Sequence, residues 1–111
     1  MKVSLNVTYN YGGWHLWFKK DVVLQFAPFY GLGLELGDDG ELIRLENTRY
    51  TTTFIDYNLK NESFDVEIRE AWPTNIAASI VEEVINKHEN WVRMDTTNTE
   101  KLIELISKQN K

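Results

Sequence analysis

The sequence predicts an α+β fold, in which a meandering, mostly antiparallel β-sheet of about seven strands is covered by C-terminal helices. Thirteen of the fourteen aromatic residues fall within the first 72 positions, in segments that alternate polar and apolar residues. Beyond residue 72 the apolar residues recur at helical spacing, and Trp91 is the only aromatic. We therefore expect a single α+β domain over 1–111, with the sheet in 1–72 and helix, short strand and helix in 73–111. An open sheet and a sheet strongly curled around a helix both fit this pattern.

The first two strands form the hairpin that the sequence defines best. Polar and apolar residues alternate without a break over residues 2–11, which is the period of a strand with one buried face. Gly12 and Gly13 can then adopt the positive φ angles of a two-residue hairpin turn. One face of the ribbon becomes wholly apolar in the expected register. That register pairs Tyr11 with Trp14, Tyr9 with Leu16 and Val7 with Phe18.

The other strands are predicted from alternation and from turn residues. We expect a turn at Lys20-Asp21, a third strand over 22–26, and an apolar corner over 27–31 that packs inward. A second hairpin is expected to pair the strands 32–36 and 42–46 around the turn 37–40, with Leu34 facing Ile43 and Leu32 facing Leu45. The segments 49–57 and 64–68 are rich in β-branched and aromatic residues and complete the sheet.

Two helices and a short strand are expected in the C-terminal part. An apolar stripe predicts a long amphipathic helix that packs on the sheet; it consists of Ile76, Ala77, Ile80, Val81, Val84 and Ile85. Thr74 or Asn75 is expected to cap this helix. A short strand follows at 91–94. The pattern Thr97-x-x-Glu100 then resembles a capping box and predicts a second, short helix.

The composition narrows the classes of function. Of the 111 residues, 42% are hydrophobic and 26% are charged, which is the ordinary range of a globular domain. The net charge of −5 disfavours binding to nucleic acid, because like charges repel. The chain has no cysteine, which excludes disulfides and thiolate ligands. No apolar run approaches the length of a membrane span or of a signal-peptide core, so we expect a cytoplasmic protein without membrane contact.

The most site-like group of residues lies on the second face of the first hairpin. The expected register surrounds Trp17 with polar side chains on this face: Asn6, Thr8, Asn10, His15 and Lys19. An aromatic ring among amide, hydroxyl and imidazole groups suits a sugar or a nucleobase that stacks and forms hydrogen bonds. A loop, a neighbouring strand or a second subunit that covers Trp17 is the alternative interpretation.

Other polar residues do not form a recognisable motif. His88 is expected near the end of the first helix in a structural role, and the acidic turn 37–41 is too short for a calcium loop. We expect no metal site, no cofactor and no catalytic residue that the sequence identifies. Lys2, Lys19 and Lys20 suggest a small basic patch near one end of the first hairpin. Dispersed carboxylates leave a hydrolase-type enzyme as a third hypothesis; they are Asp56, Asp65, Glu67, Glu70 and Asp95.

Two functions from different classes rank above that third hypothesis. The first is a small non-enzymatic accessory or interaction protein, which binds a protein partner or a second copy of itself through an aromatic sheet face or a free strand edge. This hypothesis includes a homodimer. The second is a binder of a small polar ligand on the face that carries Trp17 and His15.

Overall fold

A computed structural model of the protein describes residues 1–36 and 41–109 and confirms the α+β fold class. Within these residues the chain forms seven strands and two helices. The strands are β1 (Lys2–Tyr11), β2 (Trp14–Val23), β3 (Gly33–Leu36), β4 (Glu41–Arg44), β5 (Thr51–Asn58), β6 (Ser63–Ala71) and β7 (Val92–Arg93), and the helices are α1 (Ser79–Lys87) and α2 (Thr99–Gln109).

The main sheet has five strands in the order β5-β6-β1-β2-β7. Its sequence-adjacent hairpins are antiparallel, but β6 runs parallel to β1, so the sheet is mixed. The sheet is neither closed nor strongly curled, and β5 and β7 are its edge strands. The strands β3 and β4 pair only with each other and form a separate two-stranded sheet.

The first hairpin has the predicted register. Tyr11 pairs with Trp14 across the turn, and the ladder continues to Lys2 and Val23. Gly12 takes a φ of 57°, the left-handed conformation that favours glycine at this turn. Both predicted faces therefore exist.

The third strand predicted over 22–26 is wrong. Lys20 and Asp21 do not turn the chain, because β1 is ten residues long and supplies β2 with partners as far as Val23. The ladder is extended once more by the backbone N–H of Leu24, which donates to the carbonyl of Met1 over 2.8 Å. Uninterrupted pairing thus outweighs the turn tendency of two charged residues.

The apolar corner over 27–31 packs inward only in part. Pro28 is buried, but the side chains of Phe29 and Tyr30 are exposed, each by 54%. The corner joins two different sheets, and its backbone is fixed by the N–H of Gly31, which donates to the carbonyl of Leu45 over 2.6 Å. The prediction of an inward-packed corner is therefore wrong for both aromatic rings.

The second hairpin has the predicted pairing. Leu34 pairs with Ile43, and the backbone N–H of Leu45 donates to the carbonyl of Leu32 over 2.8 Å. The predicted turn 37–40 lies outside the described residues. The last strands also form where the sequence predicts them, although β6 continues to Ala71.

The helices form in the predicted region with different caps. Helix α1 begins after Ala78 without a side-chain cap, because turns that start at Pro73 and Ala77 occupy the preceding residues. The caps predicted at Thr74 or Asn75 are therefore wrong. Helix α2 is capped by Asn98, whose Oδ1 accepts the backbone N–H of Lys101 over 3.0 Å. The predicted capping box is wrong, and the second helix is the longer one, with 11 residues against 9.

A single cluster of buried side chains joins both sheets and both helices. The apolar face of the first hairpin contributes Leu5, Leu16 and Phe18, all at 2% exposure or less. Helix α2 adds Leu102 and Ile106 to the same cluster. Burial of each such side chain is worth about 1.5–3 kcal/mol, which explains why the apolar stripes lie on this face. No described helix is long and apolar enough to cross a membrane.

Candidate functional site

The structure brings the predicted residues together on the second face of the hairpin. Trp17 pairs with Thr8, and the rungs on either side join Asn6 to Lys19 and Asn10 to His15. These residues are half-buried or exposed, whereas the alternate positions along both strands are buried or half-buried against the core. The predicted geometry is therefore confirmed, while the predicted binding roles of these side chains stay predictions.

Trp17 is fixed by hydrogen bonds on two sides. Its indole Nε1 donates to Oδ1 of Asn6 over 2.9 Å, and its backbone N–H donates to Oδ1 of Asp95 over 2.8 Å. Its carbonyl accepts the N–H of Met94 over 2.7 Å. The polar atoms of Trp17 therefore already have partners, and a ligand would find only the ring surface.

Residues 92–97 cap the outer edge of β2. In this segment β7 pairs with Phe18 and Lys19, and the hydroxyl of Thr97 donates to the carbonyl of His15 over 2.6 Å. The carboxylate of Asp95 is fully covered and lies 3.1 Å from the guanidinium of Arg93. We call the stretch of β2 that these groups cover, residues 15–19, the capped edge.

The pKa of Asp95 reflects the hydrogen bonds that this carboxyl accepts at the capped edge. Burial opposes ionisation of this carboxyl, but hydrogen bonds from the Arg93 side chain and from the Trp17 N–H outweigh it, and the pKa of Asp95 is lowered. The carboxylate thus serves as an ionised acceptor for the strand edge.

The opposite edge of the sheet is formed by β5. The carbonyl of Tyr50 accepts the N–H of Ala71 over 2.8 Å, which directs the even-numbered residues of β5 towards β6 and the odd-numbered ones outward. Two outward residues are capped by the preceding loop. The N–H of Thr48 donates to the carbonyl of Thr51 over 2.8 Å, and the N–H of Thr53 donates to Oδ1 of Asn47 over 2.7 Å.

The second half of this edge has no such cap. In the part of the chain that the structure describes, no hydrogen bond engages the outward N–H and C=O groups of Ile55 and Tyr57. Large apolar side chains next to these groups are accessible to a partner: the exposed fraction is 40% for Phe54 and 49% for Tyr57. We call residues 54–58 the open edge. An edge of this kind is a template for pairing with another strand.

The open edge carries one charge, that of Asp56. Asp56 stands directly opposite Asp65 on β6, and both are exposed. The same row continues through Ser4 to Asp21 on β2. Within residues 1–36 and 41–109 no ion pair reaches Asp56 or Asp65. Like charges directly opposite each other destabilise a sheet, so this row favours a cation.

A cavity that the sequence analysis missed lies on the other side of the sheet. It has a volume of about 200 Å³, and its polar lining includes Tyr9, Arg44, Glu46, Glu70, Lys87 and His88. Burial raises the pKa of Glu70, while the charge of Lys87 partly opposes that shift. The alternation along β6 could have indicated this cavity, because Glu70 follows Val66 and Ile68 at the positions that face inward.

His88 forms one wall of this cavity. It is buried at the C-terminal cap of α1, and its Nδ1 lies 2.9 Å from the carbonyl of Val84, to which it donates. Nε2 lies 3.4 Å from the hydroxyl of Tyr9, and the ring stacks on Phe18 with centroids 4.6 Å apart. These contacts agree with the structural role expected for His88.

A wider depression lies at the far end of the hairpin face that carries Trp17, Asn6 and Lys19, which we call the Trp17 face. It measures about 630 Å³, and its polar lining includes Lys2, Ser4, Lys19, Asp21, Asn61, Ser63 and Asp65. Of the five candidate residues around Trp17 it contains only Lys19, and Trp17 itself does not line it. Lys20 lies on the opposite face, where its Nζ is 5.9 Å from the ring of Trp91, so the suggested three-lysine patch does not form. The described residues contain no group of acids and histidines that could hold a metal.

Comparison of the chain with protein-family models, with curated proteins and with solved structures finds no match.

Proposed function

We propose that the protein is a non-enzymatic interaction protein that accepts an extended segment of a partner protein as an additional strand at the open edge. The observation that carries this proposal is that, among the described residues, no hydrogen bond engages the outward groups of Ile55 and Tyr57, whereas residues 92–97 bond to the outer edge of β2 at His15, Trp17 and Lys19. Strand addition of this kind draws its affinity from backbone hydrogen bonds and its specificity from alternate side chains.

The open edge offers enough interaction for a specific but reversible contact. Its two outward residues present two N–H and two C=O groups. Each hydrogen bond that replaces a bond to water contributes about 0.5–1.5 kcal/mol. Phe54, Tyr57 and Leu59 add apolar surface, which contributes roughly 25 cal/mol per Å² buried. A partner strand therefore gains from both terms along the same short stretch.

Proline at position 57 tests this proposal. Tyr57→Pro removes one outward N–H and places ring atoms where a partner strand would lie, yet it leaves the ladder with β6 intact. Tyr57→Thr is the matched control, because it removes the aromatic ring and keeps the N–H. Peptides selected from a displayed random library on the wild-type protein are then measured against both variants by calorimetry.

We expect the selected peptides to lose at least about tenfold in affinity for Tyr57→Pro and clearly less for Tyr57→Thr. Unchanged melting temperatures of both variants would show that the fold is intact. Selected peptides that bind Tyr57→Pro as tightly as wild type would contradict the proposal, because their contact would lie elsewhere.

The depression at the end of the Trp17 face favours a second candidate function, the binding of a small polar ligand. Its polar lining carries charges of both signs, from Lys2 and Lys19 on one side and Asp21 and Asp65 on the other. A ligand at a hundredfold excess over its Kd raises the unfolding free energy by about 2.7 kcal/mol, which a thermal-shift screen of sugars, nucleotides and amino acids would detect. Asp21→Asn should abolish the shift and Asn10→Ala should not. No shift with any compound would contradict this candidate.

A further inference from the structure

Asp56 occupies the centre of the open edge and faces any strand that pairs there. In an antiparallel pair, Ile55 and Tyr57 would exchange backbone hydrogen bonds with the partner. Asp56 would then lie in a position without such bonds, where opposed Cα atoms approach to about 4.5 Å and side chains are closest. The partner residue opposite Asp56 therefore projects from the same sheet face and lies directly against the carboxylate.

The charges around Asp56 select for a basic residue at that position. Asp65 is the direct cross-strand neighbour of Asp56. Lys2 and Lys19 line the depression beside Asp65 and Asp21, whereas Asp56 lies at the outer edge and is not part of that lining. A long cationic side chain opposite Asp56 can reach over both Asp56 and Asp65 and offset their mutual repulsion. An acidic residue there would add a third carboxylate to the pair. The chain's net charge of −5 also favours a basic partner over an acidic one at longer range.

A second copy of the chain does not satisfy this requirement. The loop at Asn47 and Thr48 occupies the edge beside Thr51 and Thr53, so pairing is limited to residues 54–58. Two copies that pair symmetrically over this stretch would place Asp56 against its own counterpart. The two carboxylates would meet at the position of closest approach, so Asp56 acts as a protective charge on this edge.

The residues next to the basic one face the other side of the sheet. There they would lie beside Ile55, which is half-buried, and Tyr57, whose ring packs on Phe64 with centroids 4.8 Å apart. Apolar, β-branched residues suit these positions because they extend the apolar face and favour the strand conformation. The complementary pattern is therefore apolar, basic, apolar.

We infer that the partner of this protein presents an extended segment with Lys or Arg opposite Asp56, between two apolar residues. This inference rests on the proposed strand addition at the open edge and specifies its partner. It identifies the partner by its chemistry, as a protein segment of basic and apolar alternation.

Two synthetic peptides test the inference. Both contain a Thr-Val-X-Val-Thr core, with X as Lys in one and Glu in the other, and their affinities are measured by NMR titration of the isotope-labelled protein. We expect the Lys peptide to bind wild type about tenfold tighter than the Glu peptide, with amide shifts centred on 54–58. Asp56→Lys should reverse this order. Glu89→Lys, an equal change of charge at an exposed position outside the sheet, should leave the order unchanged.

The other outcomes separate the two proposals. Equal affinity of both peptides, with shifts at 54–58, would overturn the basic partner but leave strand addition intact. An absence of shifts at 54–58 with either peptide would overturn strand addition and, with it, the basic partner. A wild-type dimer in light scattering that Tyr57→Pro abolishes would identify a second copy as the occupant and would also overturn the inference.

Discussion

The two edges of the main sheet differ in the hydrogen bonds that the rest of the chain makes to their outward backbone groups. Along β2, residues 92–97 engage the backbone of Trp17 on both its N–H and its C=O and also reach the carbonyl of His15. Along β5, the loop at Asn47 and Thr48 engages Thr51 and Thr53 and then leaves the edge. In the described structure both edges are capped over only part of their length, and the uncapped part of β5 is the one that carries the exposed rings of Phe54 and Tyr57 beside a single charge.

The largest effect is expected from opening the capped edge. Asp95→Ala removes the acceptor of the Trp17 N–H and leaves the guanidinium of Arg93 without its carboxylate. We expect a loss of about 1.5–3 kcal/mol in the free energy of unfolding, since the lost bonds involve a charged acceptor. Urea denaturation measures this change. Asp95→Asn, which keeps one acceptor oxygen, should lose less, and equal losses would show that the hydrogen bond to Trp17 does not matter.

The next effect concerns the protection of the open edge. Asp56→Val creates an uncharged run from Thr51 to Asn58 with high β-propensity. We expect association between copies to strengthen by about tenfold, because the charge that opposes symmetric pairing is gone. Thr52→Val is the matched control, since it lies on the same face of β5 beside the capped residues. Light scattering that gave the same mass for both variants would contradict the protective role of Asp56.

Asp95 at the capped edge and Glu70 in the cavity should have opposite effects on the pH dependence of stability. The folded pKa of Asp95 is lowered, so its contribution is present above its unfolded pKa and is lost as the pH falls through the folded value. The folded pKa of Glu70 is raised, so the native state holds that proton more tightly and stability falls as the pH rises through this range. Asp95→Asn should therefore flatten the acid loss of stability, and Glu70→Gln should steepen it. Urea melts across the acid range measure both slopes, and shifts in the same direction would contradict the assignment.

The smallest effect is expected at the outer end of the capped edge. Thr97→Val removes the hydroxyl that donates to the carbonyl of His15. We expect a loss of about 1 kcal/mol in unfolding free energy, the contribution of one neutral hydrogen bond. Thr96→Val is the control, because Thr96 is exposed and the described structure assigns its side chain no hydrogen bond. Equal losses of unfolding free energy for both substitutions would show that the Thr97 hydroxyl does not stabilise the capped edge.

Local patterns predict much of this fold. Alternation over β1 and the Gly12-Gly13 turn fix the register of the first hairpin, because a shift of one residue would expose its entire apolar face. The predicted turn at Lys20-Asp21 failed for a reason outside local sequence, since the length of β1 decides how far β2 can pair. The helix caps failed for a similar reason. Asn98, one residue from the predicted Thr97, forms the cap because Thr97 bonds to the hairpin instead.

The candidate site depends on the order of the strands, which sequence patterns do not encode. The parallel pairing of β6 with β1 joins segments about sixty residues apart and makes β5 an edge strand. One signal was nevertheless present in the sequence. Asp56 interrupts an otherwise uncharged strand, and a single charge in such a strand is typical of a protected edge.

Amide hydrogen exchange along β5 and β2 tests the difference between the two edges most directly. We expect alternation on β5, with slow exchange at Phe54 and Asp56, which bond to β6, and fast exchange at Ile55 and Tyr57. We also expect slow exchange at Trp17 on the capped edge. Protection of Ile55 and Tyr57 equal to that of Trp17 in the isolated protein would mean that the edge of β5 is already covered, and would contradict strand addition at the open edge.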